Sequence, residues 1–104
     1  MKAIINNKRY DTETSTHIAS FHNGLSRSDF NHITENLYRT QKGNWFLVAD
    51  GGANTKYSVP AGNMWSGVSD QFVALTHEEA LQWLEKHEEV GVIEKYFSDQ
   101  IEDA

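Results

Sequence analysis

Apolar residues along this chain recur at two spacings, a short one up to Leu75 and a longer one after it. AIINNKRYD reads as the start of a hairpin, with Asn6-Asn7 as its tight turn, because asparagine tolerates a positive φ. DTETST follows as an extended edge or turn. HIASFH alternates, which predicts His17, Ala19 and Phe21 on one side of a strand and Ile18, Ser20 and His22 on the other. NGLSRSD reads as a loop, and FNHITENLYRT as a strand ending at a QKGN turn. WFLVAD is the clearest strand in the chain and pairs with LYRT as a hairpin. It is apolar at both parities, so both its faces should be covered, with Trp45 and Leu47 in the core.

From Asp50 to Asp70 the pattern breaks down. DGGANTKYSVPAGNMWSGVSD holds most of the glycines and the only proline. It reads as an irregular stretch of about twenty residues, long enough to suggest a functional loop. Met64 and Trp65 are costly to leave in water and are expected to pin that loop to the body. QFVAL then reads as the last strand.

After Leu75 the period becomes helical. Thr76 and Glu79 have the spacing of a capping box, and Leu75 can staple onto Ala80. Turning 100° per residue brings Ala80, Trp83, Leu84 and His87 onto one face, with Glu78, Gln82, Glu85 and Glu89 opposite. Gly91 permits a break. Val90, Ile93, Phe97 and Ile101 then repeat at helical steps. The expected fold is α+β: a single domain over residues 1–104, with an antiparallel sheet of four or five strands in 1–75 and two amphipathic helices in 76–102.

The composition, 38% apolar and 23% charged, fits a soluble globular chain. The absence of cysteine removes disulfides, thiolate metal sites and cysteine nucleophiles, and suits a reducing cytoplasm. No segment has the apolar length of a secretory signal or a membrane span. The net charge of −6 is distributed unevenly. Residues 1–76 carry six acids and seven Lys/Arg, whereas residues 77–104 carry nine acids and two lysines. This asymmetry argues against direct nucleic-acid binding by the C-terminal part.

Candidate chemistries are sparse. HEEA at 77–80 is not H-E-x-x-H, because position 81 is leucine. His22, His32 and Asp29 could assemble a metal site only if the fold brought them together. Neither a G-x-S-x-G elbow nor a phosphate-loop signature is present. Arg9, Arg39 and Lys42, gathered beside Tyr10 and Tyr38, would make a weak nucleic-acid platform. These readings lead to a non-enzymatic protein with no cofactor and no metal.

RYDTET, SRSDF, LYRTQKGNWFL with its following GG and KY, and LTHEEALQWLEK together resemble a family of small acidic proteins from bacteria, phages, plasmids and other mobile elements. The likeness runs from Arg9 to Lys86. It implies an accessory protein of mobile DNA acting in the cytoplasm of a bacterial host, a class that includes inhibitors of host defence. The expected function is inhibition of a CRISPR-type complex by occupying a protein surface, without direct contact to nucleic acid or membrane. The expected contact residues are Glu78, Glu85 and Glu89 on the acidic helices, which could imitate a nucleic-acid backbone for a basic groove. Asp50, Lys56 and Tyr57 in the long loop complete the set. The alternatives are an accessory protein with a merely solvated acidic face, or a small metal-dependent hydrolase.

Overall fold

In the computed structural model, which describes Met1 to Ala104, Asn6 and Asn7 adopt φ of 50° and 66° and turn β1 (Lys2–Ile5) back onto β2 (Lys8–Asp11). Two consecutive left-handed residues match the twist of a two-residue hairpin, so the asparagine pair does what the sequence predicts. Four further strands form the main sheet: β3 (Thr16–His22), β4 (Ile33–Arg39), β5 (Trp45–Gly51) and β8 (Val68–Leu75). They lie in the order β3-β4-β5-β8, all antiparallel. Between β5 and β8 a separate two-stranded hairpin is inserted, β6 (Val59–Ala61) with β7 (Met64–Ser66). Helices α1 (His77–Lys86) and α2 (Val90–Tyr96) close the chain, followed by a short 3-10 turn at Ser98–Gln100.

Strand β5 is the centre of the molecule, and Trp45 through Ala49 are all buried. On one face Trp45 and Leu47 join Leu37 of β4 and Ala80, Trp83, Leu84 and Phe97 of the helical layer. On the other, Phe46 and Val48 pack with Tyr10 of the first hairpin, and Phe72 and Ala74 of β8 border the cluster. The fold is thus α+β, with helices above the sheet and a hairpin below it. Covering both faces is what an unbroken apolar strand demands.

Helix α1 begins as its sequence predicts. The Thr76 hydroxyl accepts from the Glu79 amide at 3.1 Å, and the Glu79 carboxylate accepts from the Thr76 amide at 2.8 Å. Its end differs from expectation. The break falls at Glu88, with φ 58°, where the Glu88 and Glu89 amides return to the carbonyls of Glu85 and Leu84. These are the two bonds of a Schellman stop, and here a non-glycine residue occupies the left-handed position. Gly91 instead lies inside α2.

The predicted second helical face is also shortened. Helix α2 ends at Tyr96, because Phe97 leaves the helical region at φ −130°, and Ile101 lies beyond it and exposed. Ser98 and Asp99 follow at once, residue types that compete locally for backbone hydrogen bonds.

Strand β3 departs from simple alternation too. His17 pairs with Tyr38 but Ala19 pairs with Leu37, so Ile18 is an extra residue. This bulge shifts the parity, and His17, Ser20 and His22 share one face instead of being divided between two.

Candidate functional site

The buried carboxylate of Glu35 lies on the core side of β4, in step with Leu37, and is only 2% exposed. Four side chains from two other regions converge on it. Trp83 Nε1 of α1 donates to Oε1 at 2.9 Å, and His87 Nε2 lies 3.8 Å from the same oxygen. From the segment after β5, the Tyr57 hydroxyl donates to Oε2 and Lys56 Nζ reaches that oxygen at 3.0 Å. Burial alone would raise the Glu35 carboxyl. The donors Tyr57, Trp83 and Lys56, with the lysine charge, overcome that and hold it below the usual carboxylate range. Burial and the neighbouring carboxylate push the Tyr57 phenol strongly upward, so it remains a donor. Burial holds the His87 imidazole below its ordinary value, and the charges of Lys86 and Lys56 add to this against the pull of Glu35. Its ring is sandwiched against Phe21 at 4.1 Å and Trp83 at 4.5 Å.

This clasp fastens the start of the inserted segment to both the sheet and the helix. A second set of bonds fastens its base. The Gly52 amide donates to the His32 carbonyl at 3.1 Å and the Asn54 amide to the Phe30 carbonyl at 2.9 Å. A side chain on Gly52 would fall on the backbone of Phe30, and one on Gly51 would meet Tyr57 Cβ at 2.8 Å. The double glycine therefore permits close approach of two chain segments. Asp50 Oδ1 accepts from the Asp70 amide at 2.8 Å, joining the strand that enters the insertion to the one that leaves it.

Held at its base, the β6–β7 hairpin extends into solvent. Met64 is 73% and Trp65 61% exposed, and Val59 is exposed as well. Phe30, 68% exposed, borders the same depression as Trp65. The expectation that Met64 and Trp65 pin the segment to the body is overturned. The pinning is polar, through Lys56, Tyr57 and Asp50, and the apolar side chains are left outside.

Of the predicted contact residues, Glu78 and Glu85 lie exposed on the outer side of α1. Glu89 is at the N-cap of α2 and half-buried, without a side-chain cap bond. None of the three makes an ion pair. Lys56 and Tyr57 come together, but inward upon Glu35, while Asp50 is occupied by Asp70 and lies 3.9 Å from Arg27. Among the histidines, His22 Nδ1 accepts from the Gly24 amide at 2.9 Å and His32 Nδ1 donates to the Asp29 carbonyl at 2.7 Å. No three His, Asp or Glu side chains are grouped to hold a metal ion. Arg39, expected beside Tyr38, turns instead to the helix side and stacks over Trp45 and Tyr96 at 5.5 and 5.3 Å.

Glu35 and the exposed hairpin were not singled out by sequence. A signal for the first existed, since Glu35 shares the parity of the apolar Leu37 in a strand with a buried side. No helix is long and apolar enough to cross a membrane. Comparison of the chain with protein-family models, with characterised proteins and with solved structures gives no match.

Proposed function

We propose that this chain is a protein-binding module that acts by covering a surface of its partner, with the β6–β7 hairpin as the main contact. The observation that carries this reading is the exposure of Met64 and Trp65 on a hairpin whose base is rigidly fastened. Burying apolar surface contributes roughly 25 cal/mol per Å², and tryptophan and methionine are enriched where proteins meet. A preorganised hairpin also loses little conformational freedom on docking. Phe30 widens the apolar contact, and the exposed acids Glu78 and Glu85 on α1 add negative charge that would steer a basic partner. The sequence resemblance to mobile-element proteins makes a CRISPR-type defence complex of the bacterial host the favoured partner.

The test is plasmid interference in bacteria carrying an active CRISPR system. Expression of the chain should restore transformation by a targeted plasmid, and Met64→Ser with Trp65→Ser should abolish that protection while the protein stays folded. Transformation that remains at the interference level with the wild-type chain, across the major effector types, would overturn the choice of partner. Full protection by the double variant would overturn the choice of surface.

A further inference from the structure

A second concavity lies on the far side of the sheet from the helices, between the first hairpin and the β4–β5 turn, with a volume of about 370 Å³. It is the size of a small-molecule site. Lys8, Arg9 and Lys42 line it, and none of them makes an ion pair within the chain. The only acid on its wall is Asp11. Three unpaired cations around one hollow, on a protein of net charge −6, form a localised positive field. Arg9 supplies a planar fork suited to phosphate oxygens, and the lysines supply point charges.

The rest of the wall is uncharged and polar. Asn7, Gln41 and Asn44 present amides, and Thr14 and Thr40 present hydroxyls. The Ser15 Oγ, also on the wall, is closed to solvent and has no hydrogen-bond partner. The single apolar residue lining the hollow, Tyr10, is itself buried against Phe46 and offers no platform for a flat base.

We propose that this hollow binds a small phosphorylated, hydroxyl-rich molecule of the sugar-phosphate class, with Arg9, Lys8 and Lys42 on the phosphate and the amides and hydroxyls on the polyol. The proposal is independent of the protein-binding hairpin, which lies in a separate part of the chain. Of the three basic residues singled out by sequence, the fold brings Arg9 and Lys42 here, and the third cation is Lys8 instead of Arg39.

Amide NMR of the full chain tests it, with glucose 6-phosphate, glucose, sulfate and a twelve-nucleotide single strand as probes. Glucose 6-phosphate should shift amides in 7–15 and 40–44, saturating at or below about 10 mM, a weak but site-specific affinity. Glucose alone should not, and sulfate should bind more weakly. Arg9→Gln with Lys42→Gln should weaken binding about tenfold or more, consistent with the loss of charge-assisted bonds. Lys42→Gln alone, in an exposed turn, gives a smaller loss and serves if the double variant loses its dispersed spectrum. Absence of shifts, shifts equal to those from sulfate, or tighter binding of the oligonucleotide would each overturn the assignment.

Discussion

Tyr57 donates its phenolic hydroxyl to the buried carboxylate of Glu35, 22 positions earlier in the chain, and so joins the inserted segment to the centre of the sheet. Trp83 completes the junction from the helix side, which makes Glu35 common to all three parts. Removing the acceptor leaves the Trp83 Nε1 and the Tyr57 hydroxyl without their partner. Glu35→Ala should destabilise the protein by about 3 kcal/mol, and Tyr57→Phe by about 1–2 kcal/mol. Urea unfolding followed by tryptophan fluorescence checks both. If Glu35→Ala unfolds at the wild-type midpoint, the clasp contributes nothing.

The same cluster sets a window of pH. Glu35 and His87 both have depressed values in the fold, so each adds stability above its unfolded value, 4.5 and 6.5, and loses it as pH falls through its folded value. Tyr57 is raised, so its contribution is present below its unfolded value of 10 and is lost as pH rises beyond it. Stability should be flat between pH 6.5 and 10 and decline on either side. In Tyr57→Phe the alkaline decline should weaken, and in His87→Gln the first part of the acid decline should disappear. Thermal melts across pH 4 to 11 read both limbs.

Trp45 packs against Phe97 and Tyr96 at 5.4 and 5.6 Å and donates Nε1 to His77 Nδ1 at 3.2 Å. Trp45→Ala should cost about 3–5 kcal/mol, against a total of about 5–15 kcal/mol for a small domain. A calorimetric scan should show a large fall in melting temperature or no transition.

Glu88 holds a left-handed backbone that strains any residue with a Cβ. Glu88→Gly should therefore raise stability by about 1 kcal/mol, since glycine removes the steric cost at a helix stop of this kind. Unfolding midpoints of the two proteins compared side by side decide it.

The two surface regions should respond differently. Trp65→Ser, and the triple change Glu78→Gln, Glu85→Gln and Glu89→Gln, should each leave stability within about 0.5 kcal/mol per site. Trp65→Ser should speed dissociation from the proposed partner, whereas the triple variant should mainly slow association and reduce its salt dependence. Surface plasmon resonance at two salt concentrations separates them. Unchanged kinetics in the triple variant would make the acidic face simply solvated.

The sequence made the local features legible. The Asn6-Asn7 pair, a capping box and an apolar run each act through near neighbours, and the structure has all three where expected. Features that depend on distant partners were not legible. Nothing local marks Lys56 and Tyr57 as partners of Glu35, and HIASFH carries no residue that announces an extra position at Ile18. Met64 and Trp65 were misplaced for a different reason. Apolarity predicts that a side chain seeks cover, but not whether its own chain provides that cover.

The bulge at Ile18 has a consequence for life in a crowded cell. A sheet of four strands ends in two edges, β3 and β8, whose free amides and carbonyls invite a foreign strand to pair. Strand β3 is kinked where Ile18 interrupts its ladder, and β8 is bent where Asp70 takes a φ of 54°. An incoming strand would lose register part way along either edge. The irregularities that confound alternation in the sequence thus guard the molecule against aggregation through edge-to-edge pairing.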